Sequence, residues 1–145
     1  MTQRDTKTII FDLDGTLADC THRVPLIPDW DAFFAACDKD KPIWAIIDVY
    51  NALFDHDAWD IHIWSGRRDS EREKTVHWIE RHHIHSPGVL KMRPAGDDRS
   101  DAELKSQWLD EAEFVPMLIF EDRASVVQMY RDRGIRVAQV APGKF

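Results

Sequence analysis

Asp12 and Asp14 stand two apart in the run Phe11-Asp12-Leu13-Asp14-Gly15-Thr16-Leu17, directly after the apolar stretch Thr8-Ile9-Ile10-Phe11. The stretch reads as a buried strand, and Gly15 lets the backbone turn sharply beyond it. At the strand's end both carboxylates fall within one small volume. Two anionic groups held that close are unfavourable unless a cation or a shared proton relieves them. The chemistry this favours is a divalent metal with oxygen ligands, magnesium by preference, with one carboxylate left to attack an electrophile. A polar loop closing a buried strand is the plain structural alternative, and the whole string argues against it.

Phosphate-ester hydrolysis fits the inventory best. The uncatalysed reaction is among the slowest known, and an anionic phosphoryl group must be neutralised before a carboxylate can approach it. Asp12 is the expected nucleophile, forming an aspartyl-phosphate. Asp14 is expected to protonate the leaving oxygen and then to activate water. Asp122 would complete a metal shell with Asp12 and the backbone carbonyl of Asp14. The Ser65 hydroxyl and the Gly66 amide can donate to phosphoryl oxygens. Lys105 follows Asp101 by four positions, on the same helical face. It would pair with Asp12 and a phosphoryl oxygen, its structural alternative being a solvated ion pair with Asp101. Arg23, Arg67 and Arg123 are candidates to bind the phosphate or the rest of the substrate, because arginine's fork matches phosphate oxygens. Arg68, Arg72 and Arg99 read as rim or surface charges. His82, His83 and His85 close a helix, where the dipole favours cations, and lack a metal-like pattern; His22 reads as a loop residue.

Positioning these groups requires an alternation of short β-rich runs with longer patterned segments. Strands are expected at 7–11, 60–64, 89–92, 117–120 and 136–140, and helices at 29–37, 42–57, 70–84, 101–113 and 123–133. That order predicts an α/β fold with a parallel sheet covered on both faces. Ligands of such sheets bind beyond the carboxyl ends of the strands. Asp12 and Asp14, Ser65-Gly66-Arg67, Arg93 with Gly96-Asp97-Asp98-Arg99, and Glu121-Asp122-Arg123 all follow strands. Ser70 with Glu73, and Ser100 with Glu103, each fit a capping box, and Gly134 reads as a helix stop. The apolar segment Ile43–Phe54 should lie deep against the sheet, and Trp44, Trp78 and Trp108 are expected in the core.

The 145 residues suit one domain spanning 1–145. With 43% apolar and 31% charged residues, the composition is that of an ordinary soluble protein. No apolar run approaches the ~20 residues of a membrane span. The N-terminal stretch lacks an apolar signal core, which sets the expectation of a cytoplasmic location. Cys20 and Cys37 have no metal-like spacing and are expected to be free thiols. A net charge of −7 argues against nonspecific clamping along a duplex, though not against grasping one phosphate with local arginines.

With these residues assembled, the chain resembles the haloacid dehalogenase superfamily of phosphotransferases. Asp12-Leu13-Asp14-Gly15-Thr16 matches its first motif, Ser65 its second, Lys105 its third and Glu121-Asp122 its fourth. The resemblance implies a three-layer Rossmann-like fold around a five-stranded parallel sheet, Mg2+, and an aspartyl-phosphate intermediate. More narrowly, the chain is similar over nearly its whole length to the 3′-phosphatase domains of phage polynucleotide kinases. Phe11–Ala18 with Arg23, Ser65-Gly66-Arg67, Met92-Arg93, Gly96-Asp97, Arg99, Asp101 with Lys105, and Glu121–Tyr130 carry the likeness, as does Gln139–Phe145. It implies that Asp12, Asp14, Arg23, Arg67, Asp101 and Asp122 serve the phosphatase site. The stretch Cys20–Lys41 departs from the family, and no Gly-x-x-x-x-Gly-Lys-Ser/Thr loop is present, so no kinase half is expected.

The gaps after the first motif and between Lys105 and Glu121 leave room for a minimal cap or none. An open site admits a polymer end or a nucleotide. The expected function is removal of a 3′-phosphate from polynucleotide ends or nucleotides, in end healing beside a separate kinase or ligase. The alternatives are a phosphatase of free nucleoside monophosphates or other small phosphoesters, and an idle binding module that keeps the fold.

Overall fold

The structure is a computed structural model, and it describes residues 7–143. The resemblance of the closing stretch therefore extends at Lys144 and Phe145 outside the described residues. Five parallel strands, β1 (Thr8–Phe11), β4 (Asp60–Arg68), β5 (Val89–Arg93), β6 (Leu118–Glu121) and β7 (Val137–Gln139), form one sheet in the order β5-β4-β1-β6-β7. The central place of β1 is what its unbroken apolar run dictates, since all four of its residues are buried.

Alternation along the strands divides the core in two. Ile9, Phe11, Ile61 and Ile63 face one layer, where α2 (Trp44–Asp55) contributes Ile47 and Tyr50 and α3 (Arg72–Arg81) contributes Trp78 and Ile79. Ile10, Trp64, Ile119 and Val137 face the other. There α4 (Asp101–Glu111) brings Leu104 and Trp108, and α5 (Ala124–Asp132) brings Val126, Val127 and Tyr130. The result is the three-layer α/β fold expected from the sequence.

Between β1 and α2 the chain makes a small insert. A two-stranded antiparallel ribbon, β2 (Ala18–Asp19) with β3 (Lys41–Pro42), closes its base. The ribbon carries a 3₁₀ turn at Thr21–Leu26, the short helix α1 (Trp30–Ala35) and a second 3₁₀ turn at Ala36–Lys39. Strands of two residues have no readable periodicity, so sequence reasoning missed the ribbon.

Three local expectations are corrected. Trp44 is 52% exposed rather than in the core, because only Ile47 and Tyr50 of α2 turn fully inward and Trp44, in the first turn, lies to the side of that narrow stripe. For the same reason the apolar segment Ile43–Phe54 lies only half against the sheet, with Val49 exposed. Ser70 caps nothing: it lies in a 3₁₀ turn (Asp69–Glu71), and α3 begins at Arg72 without a side-chain cap. The capping box of Ser100 and Glu103 forms in full and fixes the start of α4.

Candidate active site

The site is built on the end of β1. Phe11 is fully buried, stacked on Phe120 at 4.4 Å and edge-on to Tyr50 at 5.0 Å, so the strand enters the loop at a fixed point. Asp12 N–H donates to the Phe120 carbonyl at 2.9 Å, and the Leu13 carbonyl accepts N–H bonds from Thr16, Leu17 and Ala18. This tight coil needs Gly15, which has φ +86° and whose missing Cβ would lie 2.1 Å from Asp122 Oδ2. Only glycine lets the loop of Asp14 pass so close to Asp122.

Asp12, Glu121 and Asp122, all buried, each offer a carboxylate oxygen within 4.8 Å of the others. Lys105 is 1% exposed and donates to Asp12 Oδ1 at 2.7 Å and to Glu121 Oε2 at 3.0 Å. Burial works against the charge on Lys105, but the two carboxylates outweigh it and hold the amine protonated. Burial and the Glu121 charge push the Asp12 carboxyl up to about 8, against the pull of Lys105. Burial and the Asp12 charge push Asp122 up to about 7. Asp122 Oδ1 is buried with no hydrogen-bond partner. An orphaned carboxylate oxygen among hard oxygen donors that resist ionisation fits a divalent cation of the magnesium kind. The Asp14 carboxylate is not in this cluster; the sequence expectation joined Asp14 to the metal through its backbone carbonyl.

Asp14 is instead gripped by arginine. Its Oδ1 accepts from Arg23 Nη2 at 2.8 Å, from Arg67 Nε at 3.0 Å and from Arg67 Nη2 at 2.8 Å. Burial would raise the Asp14 carboxyl, but Arg67 and Arg23 outweigh it and hold it below its usual range. Behind the arginines lies Asp40, 3% exposed, which accepts from Arg23 Nε and Nη2 at 2.8 and 2.6 Å and from Arg67 Nη2 at 2.8 Å. His22 Nε2 lies 2.7 Å from the same carboxylate, and Arg67 also donates to Thr75 Oγ1 at 3.0 Å. Both guanidinia are fully buried. The structure thus aims Arg23 and Arg67 at Asp14 and Asp40 rather than into the open.

β4 delivers Arg67 by an irregularity. It runs past the expected end at 64 to Arg68, and its register against β5 shifts between Ser65 and Arg68. Such bulges re-aim side chains beside active sites. Gly66 sits in the shift, where a Cβ would come within 2.5 Å of Asp101 Oδ1. Ser65 is fully buried, and its hydroxyl accepts the Arg67 N–H at 3.1 Å.

A cavity of about 450 Å³ opens over these groups. Asp12, Asp14, Gly66, Asp101 and Arg123 reach its surface, whereas Ser65, Arg23, Arg67, Lys105 and Asp122 stand behind it. Asp101 pairs with Arg93 and, at 3.2 Å, with Arg123, so the alternative ion pair with Lys105 does not form. Arg68 and Arg99 line the cavity rim, and Trp30, Phe33 and Phe34 of α1 form its far wall. Sequence reasoning missed Asp40, marked Arg93 by its place after a strand without giving it a role, and placed Glu121 in a motif without giving it a ligand's place. Glu121 follows an apolar strand beside Asp122, and that was its available signal. Asp40 had none.

An aspartate pair after the central strand, a buried lysine and an acidic pair on the next strand define a phosphatase of the haloacid dehalogenase type. A family model of the polynucleotide kinase PNKP phosphatase domain matches residues 6–145, and the chain belongs to that family. A chain in the Pnkp1/Rnl/Hen1 RNA repair complex superposes with a TM-score of 0.84 at 26% identity, covering 99% of this chain and 46% of that one. The chain therefore spans about half the length of that relative. A haloacid dehalogenase-like hydrolase from Streptococcus pneumoniae shares the fold, with a TM-score of 0.66 at 18% identity, covering 94% of this chain and 85% of its own. The D,D-heptose 1,7-bisphosphate phosphatase of B. bronchiseptica, complexed with magnesium and phosphate, shares it at 0.60 and 15% identity, with 96% and 84% covered. No helix among the described residues is long and apolar enough to cross a membrane.

Proposed function

We propose that the chain is a magnesium-dependent phosphomonoesterase that removes a 3′-phosphate from polynucleotide ends or nucleotides through an aspartyl-phosphate on Asp12. The observation that carries this reading is Asp12 itself, at the cavity surface, bonded to Lys105 and beside a buried carboxylate oxygen of Asp122 that no donor satisfies. Asp12, Asp122 and Glu121 would hold the metal, with the Asp14 carbonyl as a further ligand. Mg2+ supplies charge neutralisation to the phosphoryl group and to the carboxylates around it.

Lys105 holds Asp12 by Oδ1 and leaves attack to Oδ2. As the Asp12–phosphorus bond forms, the bond to the 3′-oxygen breaks, and Asp14 delivers a proton to that oxygen. Arg23 and Arg67 keep Asp14 ionised before substrate arrives. The approaching phosphoryl charge raises its proton affinity, so the proton enters with the substrate. Asp14 then takes a proton from water, which attacks phosphorus and releases inorganic phosphate from Asp12. The Gly66 amide and Arg123 serve the phosphoryl oxygens from the cavity surface, the Ser65 hydroxyl would reach them only from behind it, and Asp101 holds Arg123 in place. In this reading Arg23 and Arg67 act on substrate through Asp14. End healing implies a partner that supplies the kinase or ligase step, as the assembly of the RNA repair complex suggests.

The test is magnesium-dependent phosphate release from a 3′-phosphorylated oligonucleotide, its 5′-phosphorylated twin, and 3′- and 5′-mononucleotides. Strong preference for 3′- over 5′-phosphate is expected. Equal turnover of 3′- and 5′-esters would move the enzyme to general phosphoester metabolism.

Metal dependence has a pH signature. The folded-state values of about 8 for Asp12 and about 7 for Asp122 lie above the ordinary 3.8, so the folded chain keeps protons that the unfolded chain has lost. Metal-free stability from these groups is full below about pH 4 and falls as pH rises toward 8. Cation binding needs the ionised forms and displaces those protons. Saturating Mg2+ should raise the Tm by about 5–10 °C at pH 8, and by clearly less at pH 6. A shift of equal size at both pH values would contradict the cluster as the metal site.

A further inference from the structure

Trp30 has no part in the proposed reaction, yet it lines the same cavity as Asp12 and Asp14 while remaining 44% exposed. Its place is built rather than incidental. The indole lies edge-on to Phe33 at 5.4 Å and tilted against Phe34 at 6.1 Å, and those two buried rings meet at 5.3 Å and 82°. The Arg23 guanidinium covers Phe33 at 4.6 Å, and the Arg68 guanidinium covers Phe34 at 4.9 Å. Arg23 also donates to the Phe33 carbonyl at 3.2 Å with one terminal nitrogen and to Asp14 at 2.8 Å with the other. One side chain thus fixes the aromatic wall relative to the carboxylate that handles the leaving group.

The cations around the cavity point away from a backbone track. Arg68 faces Asp31, Arg93 faces Asp101, Arg99 faces Asp97 and Arg123 faces Asp101. Asp98 adds a further negative charge to the rim, and the whole chain carries −7. A surface of paired cations releases few counterions from a polyanion and gains little from upstream phosphates. An exposed indole, by contrast, offers a face on which any base can stack. The cavity of about 450 Å³ is within the range of sites that take one small ligand.

We propose that Trp30, backed by Phe34, seats the terminal nucleobase of the substrate, so that the enzyme selects the nucleotide bearing the phosphate rather than the strand behind it. This rests on the 3′-phosphatase reading above. It makes Trp30 a specificity residue and makes a 3′-mononucleotide nearly as good a substrate as an oligonucleotide.

The experiment compares kcat/KM for a 3′-phosphorylated oligonucleotide with a terminal base, the same oligonucleotide with an abasic terminal sugar, and a 3′-nucleoside monophosphate. In the parent enzyme the base should be worth roughly 5- to 150-fold, mostly in KM. The mononucleotide should fall within about tenfold of the oligonucleotide, with a shallow dependence on salt. In Trp30→Ala the ratio of base-bearing to abasic substrate should collapse toward one, and Trp30→Phe should restore most of it. The ratio does not depend on how much of a variant folds. Equal use of base-bearing and abasic substrates by the parent enzyme, or a ratio unchanged in Trp30→Ala, would overturn the proposal and leave the 3′-phosphatase reading standing. An enzyme that cleaves other phosphoesters but neither base-bearing 3′-phosphate would overturn both.

Discussion

Asp12→Asn is expected to lower magnesium-dependent phosphate release by about 10⁴-fold or more while leaving the fold intact. Asparagine keeps the shape of the side chain at the end of β1, where Phe11, Phe120 and Tyr50 fix the backbone. It removes the attacking oxygen and one of three carboxylates clustered within 4.8 Å. Two further readouts follow from that crowding. Near pH 8 the metal-free variant should be at least as stable as the parent, because a buried charge that resists ionisation is gone. Stabilisation by Mg2+ should shrink, since a ligand is lost. Both are read from thermal melts with and without the metal. Turnover within tenfold of the parent would remove Asp12 from the nucleophile's role. A catalytically idle binding module would show no turnover to lose and would keep its ligand in the variant.

Lys105→Met should destabilise the protein by about 3–5 kcal/mol near neutral pH, in addition to abolishing efficient turnover. Methionine conserves volume, so the loss is one of charge. Lys105 is 1% exposed and bridges Asp12 and Glu121 at 2.7 and 3.0 Å. Without it Asp12 and Glu121 share a dry pocket with no cation between them, and Glu121 must take up a proton at neutral pH or stay a buried, unpaired charge. Glu121 also accepts the backbone N–H groups of Asp122 and Arg123 at 3.0 and 3.1 Å, so it cannot swing out without uncapping the turn into α5. Such a loss is a large share of the ~5–15 kcal/mol by which domains are stable. Urea denaturation at pH 7.5 and 5.5 measures it, and the penalty should be smaller at the lower pH, where protonation of the carboxylates replaces the missing charge. Adding Glu121→Gln should recover part of the loss, because the two groups are coupled. A Lys105→Met variant within about 1 kcal/mol of the parent at both pH values would contradict the ion bridge.

The strongest features of the sequence were local ones. The carboxylates around Leu13 and the glycine after them specify a tight loop through neighbours along the chain, and the structure has that loop. Alternating apolar runs and helical patterns gave the strand order its α/β character, and Ser100 with Glu103 marked the start of α4 within a single turn. Where periodicity was mixed, as around Trp44, local pattern could not say which face would meet the sheet.

What tertiary structure decided is who meets whom across the chain. Asp14 is held by Arg67 from 53 positions away, and Asp40 receives Arg23 and Arg67 from 17 and 27 positions away. Asp40 lies just past a 3₁₀ turn in a stretch with no apolar rhythm, so nothing nearby marks it as a buried counterion. Sequence order placed Lys105 beside the acidic motifs, but its contact with Asp12 spans 93 positions and exists because α4 packs on the sheet face lined by Ile10, Trp64 and Ile119, with Trp108 edge-on to Trp64. The aromatic wall is of the same kind. Trp30, Phe33 and Phe34 spell an ordinary apolar helix face, and only the fold of the insert turns that face toward the carboxylates of β1. Short-range geometry is written in neighbouring residues, whereas the partner of a buried charge is set by which distant elements close around it.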